Sequence, residues 1–326
     1  MMRNMDRREF LRLCGATGTA ISLSEALKPE IAAAFAGPKG GKPPVLWLQG
    51  GSCSGCSIGL LNSVSPEIAD VLTGVISLNF HQTLMSAAGE QAMHVLTDVQ
   101  KKYRGEYVLI VEGSIPLAAE GKYATLGEKG DQPIPFSKWV KDLAADAKAI
   151  IAVGSCAAFG GLPAAAPNPT GSVPVSKVVG GKAVINIPGC PSHPDWVLGT
   201  VVHLLKFGMP ALDKHGRPKL FFGRCVHDLC GRRKAFDKGE FATRLSERGC
   251  LYKLGCRGPM AFADCPERRF NNGTSWCVAA NSPCIACVEP EFPDKTGPFF
   301  ERMPEYGPGG TFVPEPKPAK LTGGNK

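Results

Sequence analysis

Five short apolar runs set the rhythm of the first part of the chain. They are Val45-Leu46-Trp47-Leu48, Val75-Ile76-Ser77-Leu78-Asn79-Phe80, Tyr107-Val108-Leu109-Ile110-Val111, Ala149-Ile150-Ile151-Ala152-Val153 and Ala183-Val184-Ile185-Asn186-Ile187. Runs of this length, apolar at nearly every position, predict strands buried on both faces. Between them apolar residues recur at helical spacing. One such pattern runs from Ile58 through Leu60, Leu61, Val64 and Ile68 to Val71, a second covers Gln91 to Tyr103, a third sets Phe136, Trp139, Val140 and Leu143 on one face, and a fourth runs from Pro194 to Phe207. Strands alternating with helices predict an α/β domain with a parallel sheet and right-handed crossovers. After Gly208 the periodic segments shorten, and Gly, Pro and Cys punctuate the chain. A second domain of few regular elements, residues 209–298, is expected there, stabilised by bound metal.

The cysteines carry the candidate chemistry. Of thirteen, eight fall between Cys225 and Cys287: Cys225, Cys230, Cys250, Cys256, Cys265, Cys277, Cys284 and Cys287. His227 forms a His-x-x-Cys pair with Cys230, and Cys284-x-x-Cys287 closes the stretch. Thiolate and imidazole suit zinc, copper or iron–sulfur clusters. Cys53, Cys56, Cys156 and Cys190 lie upstream, each just past the end of a predicted strand. In open parallel sheets ligands bind outside the carboxyl ends of the strands. Three strand ends therefore deliver four thiols to one place, a set that fits an iron–sulfur cluster or a structural zinc.

Composition adds bounds. The chain has 326 residues, enough for two domains, and is 44% hydrophobic and 20% charged, ordinary for a soluble protein. Its net charge of +8 comes without a basic stripe or nucleic-acid motif, so nucleic-acid binding is not expected. Asp6-Arg7-Arg8-Glu9-Phe10-Leu11-Arg12, an apolar stretch and Ala34-Phe35-Ala36 have the order of a twin-arginine export signal, residues 1–36. That route carries folded proteins, which favours metal ligands over disulfides. No later run is long and apolar enough for a membrane helix, so a periplasmic chain with no membrane anchor is expected. The Pro-, Gly- and Lys-rich residues 299–326 read as an extended tail.

Several segments together resemble one family: Cys53-x-x-Cys56, Val111-Glu112-Gly113-Ser114-Ile115-Pro116, Gly154-Ser155-Cys156-Ala157, Asn186-Ile187-Pro188-Gly189-Cys190-Pro191, His227-Asp228-Leu229-Cys230, Leu254-Gly255-Cys256-Arg257-Gly258-Pro259 and Cys284-x-x-Cys287-Val288-Glu289-Pro290. In this order they are similar to the small, electron-transferring subunit of nickel–iron hydrogenases. The resemblance implies a flavodoxin-like domain at residues 37–208, followed by a cluster-binding domain. It implies a proximal 4Fe-4S cluster on Cys53, Cys56, Cys156 and Cys190, and a distal one on His227, Cys230, Cys250 and Cys256. A middle cluster falls to Cys265, Cys284 and Cys287. The nickel–iron site belongs to a separate large subunit. The electron acceptor would be a periplasmic cytochrome c or a membrane redox subunit.

Two features set the chain apart within the family it resembles. Most such subunits have proline where this chain has Cys277 and hold a 3Fe-4S middle cluster. Ser275-Trp276-Cys277-Val278 resembles the nickel–iron–selenium branch, so Cys277 is expected to complete a middle 4Fe-4S cluster. Oxygen-tolerant relatives carry two extra cysteines where Gly55 and Gly161 stand here. Glu112 receives no role from the sequence, and Cys225 reads as a small buried hydrophobe. A stand-alone iron–sulfur carrier and a structural zinc protein are the alternatives.

Overall fold

The structure is a computed structural model that describes residues 42–64 and 66–296. The expected export signal, Cys14, the C-terminal tail and residues 297–298 lie outside the described residues. Five strands form one parallel sheet: β1 (Pro44–Gln49), β2 (Ser77–His81), β3 (Val108–Glu112), β4 (Ala149–Val153) and β5 (Val184–Ile187). Their order is β2-β1-β3-β4-β5, the flavodoxin-like arrangement, with its switch point between β1 and β3. Every residue of β3, β4 and β5 is buried, which is why the apolar runs lack a polar face.

Register aligns the ends of four strands. Gln49 pairs with Glu112, Glu112 with Val153, and Val153 with Ile187. The chain thus leaves β1, β3, β4 and β5 along one edge.

The two faces of the sheet are covered differently. Leu46, Leu48, Leu109, Val111, Ile150 and Ala152 pack against α2 (Gly89–Lys102) and α3 (Phe136–Asp146) through Leu96, Val99, Val140 and Leu143. Alternate residues, among them Val45, Trp47, Val108, Ile110 and Ile151, face the other way. They meet Trp196, Val197 and Val201 of α5 (Pro194–Phe207). The same core continues into Phe221, Val226, Leu251, Ala261 and Val278 of the following segment. That segment has helices of only three to five residues, such as Val226–Leu229, Arg233–Asp237 and Cys265–Arg268.

Buried ion networks anchor it. Arg217 binds Asp213 and Glu289, each at 2.8 Å, and donates to the Val288 carbonyl at 3.0 Å. Arg268 binds Asp264 at 2.7 Å and Asp195, in the first turn of α5, at 3.0 Å. Removing one partner of such a pair strands a charge in the interior.

The helix expected from Ile58 to Val71 is broken. α1 (Gly55–Leu61) stops early, and helix resumes only at Ile68 before a π-type turn over Val71–Val75. Pro66 has no N–H to continue the ladder, and Ser63 Oγ donates to its carbonyl at 2.8 Å. The π-type turn also delays β2 to Ser77. A hairpin joining Thr125–Lys129 to Gln132–Pro135 was not foreseen; its turn uses Gly130 at φ 61°. Ile151, fully buried in β4, gives a direct check on the sheet core. Ile151→Ala should lower stability by roughly 2–5 kcal/mol, read as an earlier denaturant midpoint at unchanged secondary structure.

Candidate metal centres

The upstream thiols meet at the aligned strand ends. Cys53 and Cys56 follow β1, with Cys56 in α1; Cys156 lies in α4 (Gly154–Phe159) directly after β4, and Cys190 follows β5. Cys56 is electrostatically coupled to Cys156 and Cys190, and Cys53 to Cys156 and Cys190. Glycines keep the space around the sulfurs clear. A Cβ on Gly154 (φ 86°) would lie 2.5 Å from Cys56 Sγ, and one on Gly161 would lie 3.0 Å from Cys156 Sγ. Gly55 stands likewise beside Cys53, at 3.1 Å.

Glu112 governs this corner. It is 1% exposed and accepts six hydrogen bonds. They come from Trp47 Nε1 at 3.0 Å, Gln49 Nε2 at 3.2 Å, Ser52 Oγ at 3.2 Å, the Cys56 and Ser57 backbone N–H groups at 3.1 and 3.2 Å, and Ser57 Oγ. The Ser54 side chain does not cap α1. A carboxylate from a different strand satisfies its first N–H groups instead. Ser57 Oγ also lies 3.0 Å from His81 Nε2. His81 Nδ1 accepts from the Thr83 N–H, so the proton sits on Nε2.

The downstream ligands divide between two cavities. His227, Cys230, Cys250 and Cys256 line a small one. Cys265, Cys277, Cys284 and Cys287 line a larger one of about 310 Å³, together with Cys190. Val226 and Trp276 line both, so they form a shared wall. Hydrogen bonds join the sets. Ser155 Oγ, beside Cys156, donates to the Cys287 carbonyl and accepts from the Gly189 N–H at 2.9 Å, and the Cys284 N–H donates to Cys256 Sγ at 3.3 Å. Cys225 stands aside, its Sγ 3.5 Å from the Gly258 carbonyl oxygen. His193 is structural: its Nδ1 caps α5 by accepting from the Asp195 N–H at 3.0 Å.

The donor sets fit a metal–sulfur group. His227 Nε2 is buried without a hydrogen-bond partner, an expensive state for a ring nitrogen unless it binds something. Its ring is held edge-on by Phe236, centroids 4.5 Å apart. Burial pushes the thiols up, Cys156 and Cys250 to about 11 and Cys287 to about 12. Without metal these groups are neutral thiols, so binding must release protons. Among the described residues no three His, Cys, Asp or Glu side chains converge closely enough to share a single metal ion. A cluster of several iron and sulfide atoms spaces its ligands more widely.

Known proteins match on both halves. Residues 53–204 match the family "NADH ubiquinone oxidoreductase, 20 Kd subunit", and residues 222–300 match the family of the C-terminal part of the NiFe/NiFeSe hydrogenase small subunit. The small subunit of the periplasmic [NiFeSe] hydrogenase of Desulfomicrobium baculatum is 43% identical, over 91% of this chain and 99% of its own length. The chain belongs to the small subunits of NiFe/NiFeSe hydrogenases. The small chain of the quinone-reactive Ni/Fe-hydrogenase of Wolinella succinogenes is also 43% identical, over 92% of this chain and 84% of its own. In the solved D. baculatum [NiFeSe]-hydrogenase, one chain superposes with a TM-score of 0.78 at 44% identity, covering 81% of this chain and 100% of that one. The [NiFeSe] hydrogenase of Desulfovibrio vulgaris Hildenborough gives 0.77 at 46%, covering 81% and 99%.

This hydrogenase small subunit serves an electron relay, and its family is one of iron–sulfur proteins. Sequence reasoning missed Glu112. The available signal was a carboxylate ending an otherwise apolar buried strand, a position where a charge must find partners. Glu112→Ala would leave Trp47 Nε1 and two helix N–H groups unpaired. It should cost roughly 2–5 kcal/mol, and Glu112→Gln less, measured as denaturation midpoints of the two variants beside the parent.

Proposed function

We propose that this hydrogenase small subunit holds three 4Fe-4S clusters in a row and relays electrons between the nickel site of a large subunit and an external redox partner. The overall reaction is H2 = 2 H+ + 2 e−. The proximal ligands are Cys53, Cys56, Cys156 and Cys190; the middle ligands are Cys265, Cys277, Cys284 and Cys287; the distal ligands are His227, Cys230, Cys250 and Cys256. Residues 37–208 form the flavodoxin-like domain and 209–298 the cluster-binding one. The chain is exported by the twin-arginine route and works in the periplasm as a heterodimer with the large subunit. Its acceptor is a periplasmic cytochrome c or a membrane redox subunit. In support, the D. baculatum relative is named periplasmic, and among the described residues no helix is long and apolar enough to cross a membrane.

The observation that carries this reading is the contiguity of the three donor sets: Cys190 touches the middle cavity and Cys284 reaches the distal sulfur of Cys256. Bound clusters supply one-electron stepping stones whose potentials depend on ligand type, hydrogen bonds to sulfur and exposure. The chain's own groups set those conditions. The Arg232 N–H donates to Cys230 Sγ at 3.4 Å, and the Ala286 N–H to Cys284 Sγ at 3.5 Å. Trp196, Trp276 and Phe270 wall the middle cavity. His227 is neutral where a thiolate is anionic, and it raises the distal potential.

Two variants test the assignments. Cys277→Ala should convert the middle cluster to 3Fe-4S, giving the oxidised holoenzyme a paramagnetic 3Fe-4S signal that the parent lacks. A parent that already shows this signal at one per protein removes Cys277 from the ligand set. His227→Cys should lower the distal midpoint potential in a redox titration, and an unchanged value would exclude the ligand role of His227.

A further inference from the structure

Between Cys265 and Cys277 the backbone takes conformations that side chains disfavour. Arg269 holds φ 57° and ψ 158°, a region almost closed to residues other than glycine. Asn271 and Asn272 follow in the left-handed region, at φ 52° and 56°, which asparagine tolerates better than most residues. The Arg269 side chain is exposed, so the constraint on it comes through its backbone. Such a conformation persists only where the surroundings over-determine it.

Two anchors from the start of α5 hold it. Arg268 binds Asp195 at 3.0 Å, and the Arg269 carbonyl accepts from His193 Nε2 at 2.6 Å. The other side of the ring fixes the tautomer. His193 Nδ1 accepts from the Asp195 N–H at 3.0 Å, so the ring proton sits on Nε2 and points at Arg269. The residue is 4% exposed. Its ring lies against Phe270, centroids 4.7 Å apart, and Trp196, at 5.6 Å. Beyond Arg269 the loop closes on itself. The Phe270 N–H donates to the Ser275 carbonyl at 2.7 Å, and the Thr274 N–H to the Phe270 carbonyl at 3.0 Å. Cys277 follows directly after Ser275 and Trp276, so its place is set from Arg269 onward. Phe270, Ser275 and Cys277 all line the middle cavity, with Trp196 opposite the loop.

We propose that His193 is the positioning residue for Cys277: by holding the Arg269 carbonyl it fixes the loop that presents the fourth thiolate, and so decides whether the middle site keeps four irons or three. The inference rests on the reading of Cys277 as a ligand of the middle cluster. Two of the other three thiols have ties of their own. The Cys284 N–H donates to Cys256 Sγ, the Ala286 N–H donates to Cys284 Sγ, and Ser155 Oγ donates to the Cys287 carbonyl. Cys265 precedes the strained segment, in the helix Cys265–Arg268. Loss of the clamp therefore frees one corner of the site and leaves three ligands in place. The step that follows is oxidative. A diamagnetic 4Fe-4S core gives up one Fe2+ and one electron, and a paramagnetic 3Fe-4S core remains. The electron goes to an added oxidant, and the freed Cys277 thiolate takes a proton from water.

The test uses anaerobically purified holoenzyme, oxidised with ferricyanide and read by paramagnetic resonance. His193→Leu removes the donor at similar bulk, and His193→Gln keeps an N–H donor on a side chain of similar reach. The parent and His193→Gln should show no 3Fe-4S signal. His193→Leu should show one approaching one per protein, with the proximal and distal signals unchanged on reduction. Adding Arg269→Gly to His193→Leu should remove the signal again, because glycine takes the Arg269 conformation without a clamp. A His193→Leu protein without the signal overturns the proposal, and Cys277→Ala still showing it leaves the ligand reading standing. An equal signal in His193→Gln overturns it too, as does one that persists with Arg269→Gly. Loss of all three clusters together, or failure to give holoenzyme even with Arg269→Gly, assigns His193 to folding at large and also overturns it. A parent that already shows the signal at one per protein removes Cys277 from the ligand set, and the positioning role with it.

Discussion

One buried carboxylate sets the geometry on which the upstream site depends. Glu112 ends β3 at the switch point of the sheet, in register with Gln49 on one side and Val153 on the other. It is acceptor-only when ionised, and six donors surround it. Two of them are the first free N–H groups of α1, the helix that carries Cys56. A helix of seven residues with no cap of its own side chains is thereby pinned to the neighbouring strand. The direction in which Cys56 points follows from that pin, and Gly154 at φ 86° leaves the sulfur its room.

The second half solves a different problem. Among its described residues there is no sheet of several strands and no long helix, so the backbone is fixed by short turns, by the Arg217 and Arg268 networks and by the core shared with α5. Cys250 and Cys256 are buried and Cys265, Cys284 and Cys287 partly so, and desolvation holds these thiols neutral without metal. Folding and metal loading are therefore coupled, since protons must leave as ligands bind. The same burial serves electron transfer. Ser155 Oγ and the Cys284 N–H link one ligand set to the next.

Much of the first half was readable because parallel strands buried on both faces must be apolar throughout. The strand-end positions of Cys53, Cys56, Cys156 and Cys190 then followed from topology. α5 was readable to the residue, since Pro194 opens it and Gly208 ends it. The break at Pro66 was not, because apolar spacing on either side of it continued in helical phase. Nor was the hub at Glu112, whose donors come from positions as far as 65 residues away in sequence. In the second half, helices of three to five residues carry no periodicity. Its ligand sets came from family resemblance rather than from spacing. The geometry adds what the resemblance lacked: Cys277 shares one cavity with Cys265, Cys284 and Cys287.

The central claim is that twelve side chains in three adjoining sets hold three 4Fe-4S clusters. Mössbauer spectroscopy with metal analysis of the anaerobically purified, oxidised holoenzyme tests it most directly. The account predicts about twelve small-subunit iron atoms, all in diamagnetic 4Fe-4S clusters, with one component distinguished by nitrogen ligation. Zinc in place of iron, or a 3Fe-4S component at one third of the clusters, would contradict it.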